Sequence, residues 1–460
     1  MNVDSVPIEN PRGIETSTLD SETSRNGSTD SPEGAEPARK ILREIWEREP
    51  SPAFSLRLWS GEEWRPQPPK SARFCLNLRS PSAVRLMFSN VGALSFGQAF
   101  AYGLADVEGP MEEVFEPLER LMTLKLSWSE RLRMAATIRE IPRADLNRRG
   151  TFAGFDGNGA GPSRERHRDA INYHYDHPVE FWRAWLDETL TYSCAYFDSP
   201  DMSLSAAQEA KLDYICRKLR LRPGMTVLDL GCGWGAWILH AARYYGVNAV
   251  GITLSPLQAA EARQRIRALG LQSRCQVEIG NFLDYTTEPV DRIASIGSIE
   301  HVPAENFDEY FRKAYRLLRP GGQMLNHGIT RSPTTADRPG DSFMDKYVFP
   351  DHFLATIGRT VTSAESAGFE VRDVESLREH YARTLMHWQT RLEAAEPEVL
   401  RFSDPLTFRI FRLYLSGSAH EFRVGRLGLH QTLLVKADNG RSGLPWRRSD
   451  WYVQQSSNTR

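Results

Sequence analysis

The chain is 460 residues long, 40% hydrophobic and 25% charged, an ordinary globular composition with length enough for a large core and two domains. A formal net charge of -2 gives the molecule no overall field that would gather nucleic acid or anionic lipid, so any such attraction has to be local. Five cysteines (Cys75, Cys194, Cys216, Cys232, Cys275) are scattered without CxxC or CxxH spacing, which argues against a disulfide framework or a structural zinc site and fits a reducing, cytoplasmic setting.

Residues 1–38 are rich in Ser, Thr, Glu, Pro and Gly with hardly any aromatics, and predict a disordered tail. The start lacks the basic and apolar regions of a signal peptide, and no run of about eighteen apolar residues follows, so no membrane span is expected. Over 39–147, "FSLRLWSGEEWRP", "ARFCLNLRSPSAVRLMF" and "GQAFAYGLADVEGPMEEVFEPLERLMTLK" read as strand-like pieces followed by an amphipathic helix, a small α+β accessory domain. "NRRGTFAGFDGNGAGPSRERHRD" mixes glycines with like charges and predicts a linker over 148–169.

From 170 onward the grammar is clearer. "MTVLDLGCG" is a buried strand entering a glycine loop, "AWILHAARYYG" a helix, "VNAVGITLS" a strand, and "PLQAAEARQRIRALG" a helix with proline in its first turn and glycine after its end. "CQVEIGNF", "DRIASIGS" and "GQMLNHGIT" add strands, with "NFDEYFRKAYRLL" as a helix between the last two. This alternation predicts an α/β domain over 170–436, a doubly wound, Rossmann-like, mostly parallel sheet, with a tail over 437–460.

In "VLDLGCGWG", Asp229 ends a buried strand, and Gly231, Gly233 and Gly235 let backbone approach a ligand where a helix N-terminus opens. A dinucleotide fingerprint needs GxGxxG and an acid after the second strand. Here the spacing is GxGxG and that strand ends "GITLS". The pattern resembles motif I of class I methyltransferases that use S-adenosylmethionine.

"NYHYD", "TYSCAYFDSPDMSLSAAQEAKLD", "VLDLGCGWGAW", "GITLSPLQ", "VDRIASIGSIEHV", "LLRPGGQMLNHGIT", "KYVFPD" and "HYARTLMHWQTRL" follow in this order. Together they are similar to the cyclopropane-fatty-acid synthase and mycolic acid cyclopropane synthase family, over roughly 165–436. The resemblance implies cofactor contacts at Tyr192, Ser193, Asp229, Gly231, Gly233, Thr253 and Gln258. Asn281 and Phe282 stand where the family often has an acidic or Trp-Glu pair beside adenine, and Asn326 replaces an apolar residue before His327.

The family's catalytic pocket holds bicarbonate, and the matching positions are Cys194, Glu300, His327, Ile329 and Tyr381. The chemistry explains the set. An alkene attacking a sulfonium methyl leaves a carbocation on the lipid chain, and closing a ring requires a base at the new methyl group. The resemblance implies that Glu300 accepts hydrogen bonds from the anion, that His327 and Tyr381 orient it and pass its proton outward, and that Cys194 fixes its position through main-chain N–H or thiol. Tyr175, Tyr192, Phe197 and Tyr347 are candidate aromatic faces toward the cationic centre. Taken singly, each residue has a plainer reading as packing, and their joint occurrence favours function.

The activity implied is that of a cyclopropane-fatty-acyl-phospholipid synthase, acting on an unsaturated phospholipid from the inner face of a bilayer as a peripheral protein, alone or as a homodimer. The arginines around 131–168 and the tryptophans of "EFWRAWL" are candidates for that docking surface. Alternatives are transfer that leaves a methylene or methyl branch, an amine methyltransferase, and a lipid-binding module with a vestigial cofactor site.

Overall fold

The computed structural model describes residues 32–48, 53–66, 72–144, 174–175, 177–335, 342–350 and 352–452. The linker predicted over 148–169 and most of the predicted tail lie outside them. The tail's last residues are not a tail: helix Ala35–Trp46 begins there, with Ala35, Ala38, Ile41 and Leu42 buried on one face. That helical stripe assigns 35–38 to the accessory domain.

The accessory domain is a four-stranded sheet, β1 (Phe54–Arg57), β2 (Glu63–Trp64), β3 (Phe74–Leu78) and β4 (Ala105–Glu108), in the order β2-β1-β3-β4. Part of "SPSAVRLMF" that reads as strand-like is a helix, Pro81–Ser89, because proline occupies its first turn and Pro81, Val84, Met87 and Phe88 share the buried face. "LSFGQAFA" is likewise helical, within Ala93–Ala101.

The second sheet has seven strands: β5 (Thr226–Leu230), β6 (Asn248–Thr253), β7 (Cys275–Ile279), β8 (Val290–Ile296), β9 (Leu318–Arg331), β10 (Glu370–Ser376) and β11 (Leu427–Val435). Their order is β10-β11-β9-β8-β5-β6-β7, parallel from β5 to β9 with β11 antiparallel to both its neighbours. The doubly wound expectation holds. Strand order reverses between β5 and β8, and a ligand crevice opens at the carboxyl ends of such a pair. Gly231 follows β5 there and Gly297 follows β8.

Residues 437–452 pack against this domain instead of trailing from it. Trp451 is buried, with the Lys218 ammonium 5.4 Å and the Arg220 guanidinium 5.2 Å from its ring.

Candidate active site

The glycine loop forms the floor of a cavity of about 870 Å³ at the switch point. Gly231 has φ +92°, and a Cβ there would collide with Ser298 Oγ, so only glycine fits. Gly235, φ +84°, caps helix Ala236–Tyr245 and turns its N-terminus toward the loop. Asp229 is buried, its Oδ1 without a partner among the described residues, and burial raises its carboxyl to about 7 against the pull of Lys211. Thr253 Oγ1 donates to Gln258 Oε1 at 2.8 Å. Asn281 accepts from the Leu283 N–H at 3.0 Å, and the Phe282 ring meets Tyr310 edge-on. Asp229, Thr253, Gln258, Asn281 and Phe282 all line this one cavity.

Opposite the loop, helix Leu204–Lys218 delivers Lys211, which is 1% exposed and whose Nζ donates to Ser193 Oγ at 2.6 Å. Burial lowers this ammonium to about 8, with Cys194, Asp187 and Asp229 resisting. Ser193 is held from the other side by Gln208 Nε2, which donates to its carbonyl at 2.8 Å.

A second cavity, of about 1450 Å³, holds Cys194, Glu300, His327, Ile329 and Tyr381 in its wall. The β9–β11 ladder sets His327 opposite Gln431 and Ile329 opposite Leu429. Glu300, in the short turn after β8, reaches across to accept the Ile329 N–H at 2.6 Å. Its second oxygen is buried without a partner among the described residues, and burial pushes the carboxyl up to about 7. His327 Nδ1 lies 3.2 Å from Gln431 Nε2, while its Nε2 is buried and has no partner among the described residues. With the Gln431 amide donating to Nδ1, the imidazole proton sits on Nε2. Burial, helped by Lys211 and Lys218, depresses the His327 pKa far enough to keep the ring neutral at physiological pH. Burial holds the Tyr381 phenol protonated, an effect strengthened by Tyr414, Cys194 and Glu300.

The two cavities share wall residues, among them Tyr175, Tyr192, Ser193, Gly297 and His301. This decides what the site can do. A group held by the glycine loop would lie beside an apolar chamber lined by Glu300, whose carboxyl is raised to about 7, by a neutral imidazole and by a protonated phenol. At the boundary Tyr192 OH lies 2.9 Å from Tyr414 OH and 3.2 Å from His174 Nε2, and Tyr175 OH lies 3.2 Å from His301 Nε2.

A family profile described as mycolic acid cyclopropane synthetase matches residues 162–432. The chain belongs to that family. A probable fatty acid methyltransferase of Pseudomonas putida is 36% identical over 410 residues, 86% of this chain and 95% of its own. Cyclopropane mycolic acid synthase 1 of Mycobacterium tuberculosis is 39% identical over 57% of this chain and 94% of its own. The crystal structure of mycolic acid cyclopropane synthase CmaA1 complexed with SAH and CTAB superposes with a TM-score of 0.56 at 37% identity, over 58% of this chain and 98% of that one. The chain is an S-adenosylmethionine-dependent methyltransferase of the cyclopropane synthase family, and Asp229, Gly231, Gly233, Thr253 and Gln258 line the cavity at the switch point that could hold the cofactor.

Several expectations about this family member change in detail. The Cys194 thiol is buried and turns to the carbonyls of Ala195, at 3.2 Å, and Leu377, at 3.9 Å. Burial keeps it protonated, so it contributes shape and not a nucleophile. The Ile329 N–H is taken by Glu300. Phe197 lies against His387 and Arg383, and Tyr347 against Phe343 and Tyr102, so neither faces the boundary. Trp182 and Trp185 are both 0% exposed in the aromatic core, which removes them as membrane anchors. Arg148, Arg149, Arg164 and Arg166 lie outside the described residues. Asn326 is satisfied by Tyr310, whose hydroxyl donates to Oδ1 at 2.8 Å.

Lys211, Gln431 and Tyr414 were not singled out from sequence. Lys211 carried a signal: in "LSAAQEAKLDYICRK" it falls in register with the buried Leu204, Ala207, Gln208 and Ile215, a cation on the helix's inward stripe. Gln431 and Tyr414 become visible only through strand register and helix packing.

Proposed function

We propose that this enzyme transfers a methylene from S-adenosylmethionine to the double bond of an unsaturated acyl chain of a phospholipid, forming a cyclopropane ring. The observation that carries this reading is the shared wall between the glycine-loop cavity and an apolar chamber containing Glu300, His327 and Tyr381. S-Adenosylmethionine supplies the electrophilic methyl, and a small oxyanion such as bicarbonate supplies a base for the proton lost from it.

The donor set suits such an anion. Glu300 Oε2 and His327 Nε2 are buried polar atoms with no partner among the described residues. A bare carboxylate would repel an anion; with its carboxyl raised to about 7, Glu300 can carry a proton and donate it. Neutral His327 donates from Nε2, and Tyr381 supplies a protonated phenol on the same wall. The aromatic faces of Tyr175 and Tyr192 at the boundary favour positive charge by roughly 0.5–2 kcal/mol each. The apolar lining keeps water from capturing a cation.

Among the described residues no helix is long and apolar enough to cross a membrane. Bilayer contact is proposed through helix Trp128–Arg139, where Trp128 is 81% and Leu132 63% exposed beside Arg131 and Arg133. A methyl- or methylene-branched product is the second reading, favoured by the probable fatty acid methyltransferase among the relatives.

The test is purified enzyme with S-adenosylmethionine, bicarbonate and vesicles of monounsaturated phosphatidylethanolamine, with the fatty esters analysed before and after mild hydrogenation. A product one CH₂ heavier that resists mild hydrogenation is expected. A heavier product that takes up hydrogen would move the assignment to a methylene branch. No heavier ester would overturn the lipid assignment.

A further inference from the structure

The larger cavity does not end in the catalytic domain. It continues past Phe343, Phe349 and Tyr414 into the accessory domain, where Leu42, Trp46, Phe54, Leu56, Leu76 and Phe96 line it. Ile45, Trp46, Phe54, Leu76 and Phe96 are only half-buried although they pack against that domain's own core clusters, and they face the chamber. Phe54 stacks on Phe74 and meets Trp46 edge-on, giving the lobe an aromatic wall. At about 1450 Å³ the whole chamber exceeds the ~300–1,000 Å³ usual for a small-molecule pocket.

The lobe is fixed in register with the catalytic wall. Arg409 donates through Nε to the Phe100 carbonyl and through Nη2 to the Ala105 carbonyl, both at 2.7 Å, and pairs with Asp106 at 3.2 Å. Gln98 donates to Tyr347 OH at 2.9 Å, and Glu119 accepts from His420 at 2.8 Å. Backbone approaches closely where Gly97 meets the Phe343 ring and where Gly417 meets Phe115. All four of these residues line the chamber.

We propose that the accessory domain is the far end of the substrate channel: its lobe receives the hydrocarbon tail of the acyl chain beyond the reacting double bond and thereby sets which chain lengths are turned over. The occupant follows from continuity with the Glu300–His327 wall and from an apolar lining that gains with each methylene withdrawn from water. The inference rests on the acyl-chain reading above. The matched family profile begins at residue 162, so the lobe's residues lie outside the part shared through that profile.

The test uses the full chain carrying Leu76→Trp, with Phe96→Trp as a second variant should the first fail to fold, and SAH binding by calorimetry as the check on folding. Mixed vesicles of palmitoleoyl, oleoyl and gadoleoyl (cis-9-eicosenoyl) phosphatidylethanolamine, which share the double-bond position and differ only in the tail beyond it, are supplied together with S-adenosylmethionine. The gadoleoyl-to-palmitoleoyl product ratio is expected to fall about tenfold in the variants with SAH affinity unchanged. An unchanged ratio, whether all lengths slow equally or none does, overturns the proposal. Binding of cis-parinaric acid, a fluorescent long-chain polyene acid, reads the lobe without turnover and is expected to weaken about tenfold in the variants. Equal parinarate affinity also overturns it. Variant-sensitive parinarate binding with no lipid product would leave the channel standing and remove the cyclopropane reading alone.

Discussion

Glu300 and His327 hold their unpartnered atoms in a place that costs stability. Unfolded, Glu300 loses its proton near 4.5; in the fold, burial holds that proton up to about 7. Between these values the native state binds more protons than the unfolded one, so this group's contribution to stability falls as pH rises, by at most roughly 3 kcal/mol. Glu300→Gln is therefore expected to melt a few degrees above wild type near pH 8 and to lose turnover by about 100-fold. A variant that melts lower with activity retained would remove Glu300 from the chemistry. Lys211 faces the cofactor side. Lys211→Met leaves Ser193 Oγ without its donor and should raise the KM for S-adenosylmethionine about tenfold with a smaller change in kcat, as expected for a charge-assisted hydrogen bond of roughly 1.5–3 kcal/mol. The reverse split would place Lys211 in the transfer step. Glu300 and His327 were legible because they stand in ordered motifs, whereas Lys211 was not singled out. The direction of the Cys194 thiol was not, since its weaker acceptor, Leu377, comes from a distant stretch of chain.

At the scale of elements, the β5 loop carries the sharpest constraint. Gly231→Ala asks for a strained φ and a collision with Ser298, and SAH binding measured by calorimetry is expected to fall by at least about 100-fold. Retained affinity would mean that the loop is not the cofactor floor. Strand–loop–helix alternation predicted β5 to β9 and the intervening helices, because buried parallel strands and amphipathic helices write strong periodic signals. The accessory domain was harder. Its strands are two to five residues long, and the apolar runs over 81–101 fold as helices whose faces are covered by other elements. Short apolar runs of this kind do not separate strand from helix by pattern alone.

Across the whole molecule, the accessory and catalytic domains are joined by a clasp in which arginines donate to carbonyl and carboxylate groups: Arg409 to Phe100, Ala105 and Asp106, and Arg426 to Glu119. No sequence pattern announces it, because its partners are some 300 residues apart. Arg409→Ala is expected to loosen the clasp, so that limited proteolysis releases the accessory domain faster while SAH still binds; cleavage at the wild-type rate would show that the clasp is not what joins them.

The central claim is that the methyl group goes to a carbon of the acyl double bond and loses a proton there. Feeding the enzyme methyl-trideuterated S-adenosylmethionine with oleoyl phosphatidylethanolamine vesicles and reading the isotope content of the isolated acyl chains tests it most directly. A ring product that keeps two of the three deuterons is the predicted result. Three deuterons retained on a branched chain, or label found on the head-group nitrogen, would contradict it.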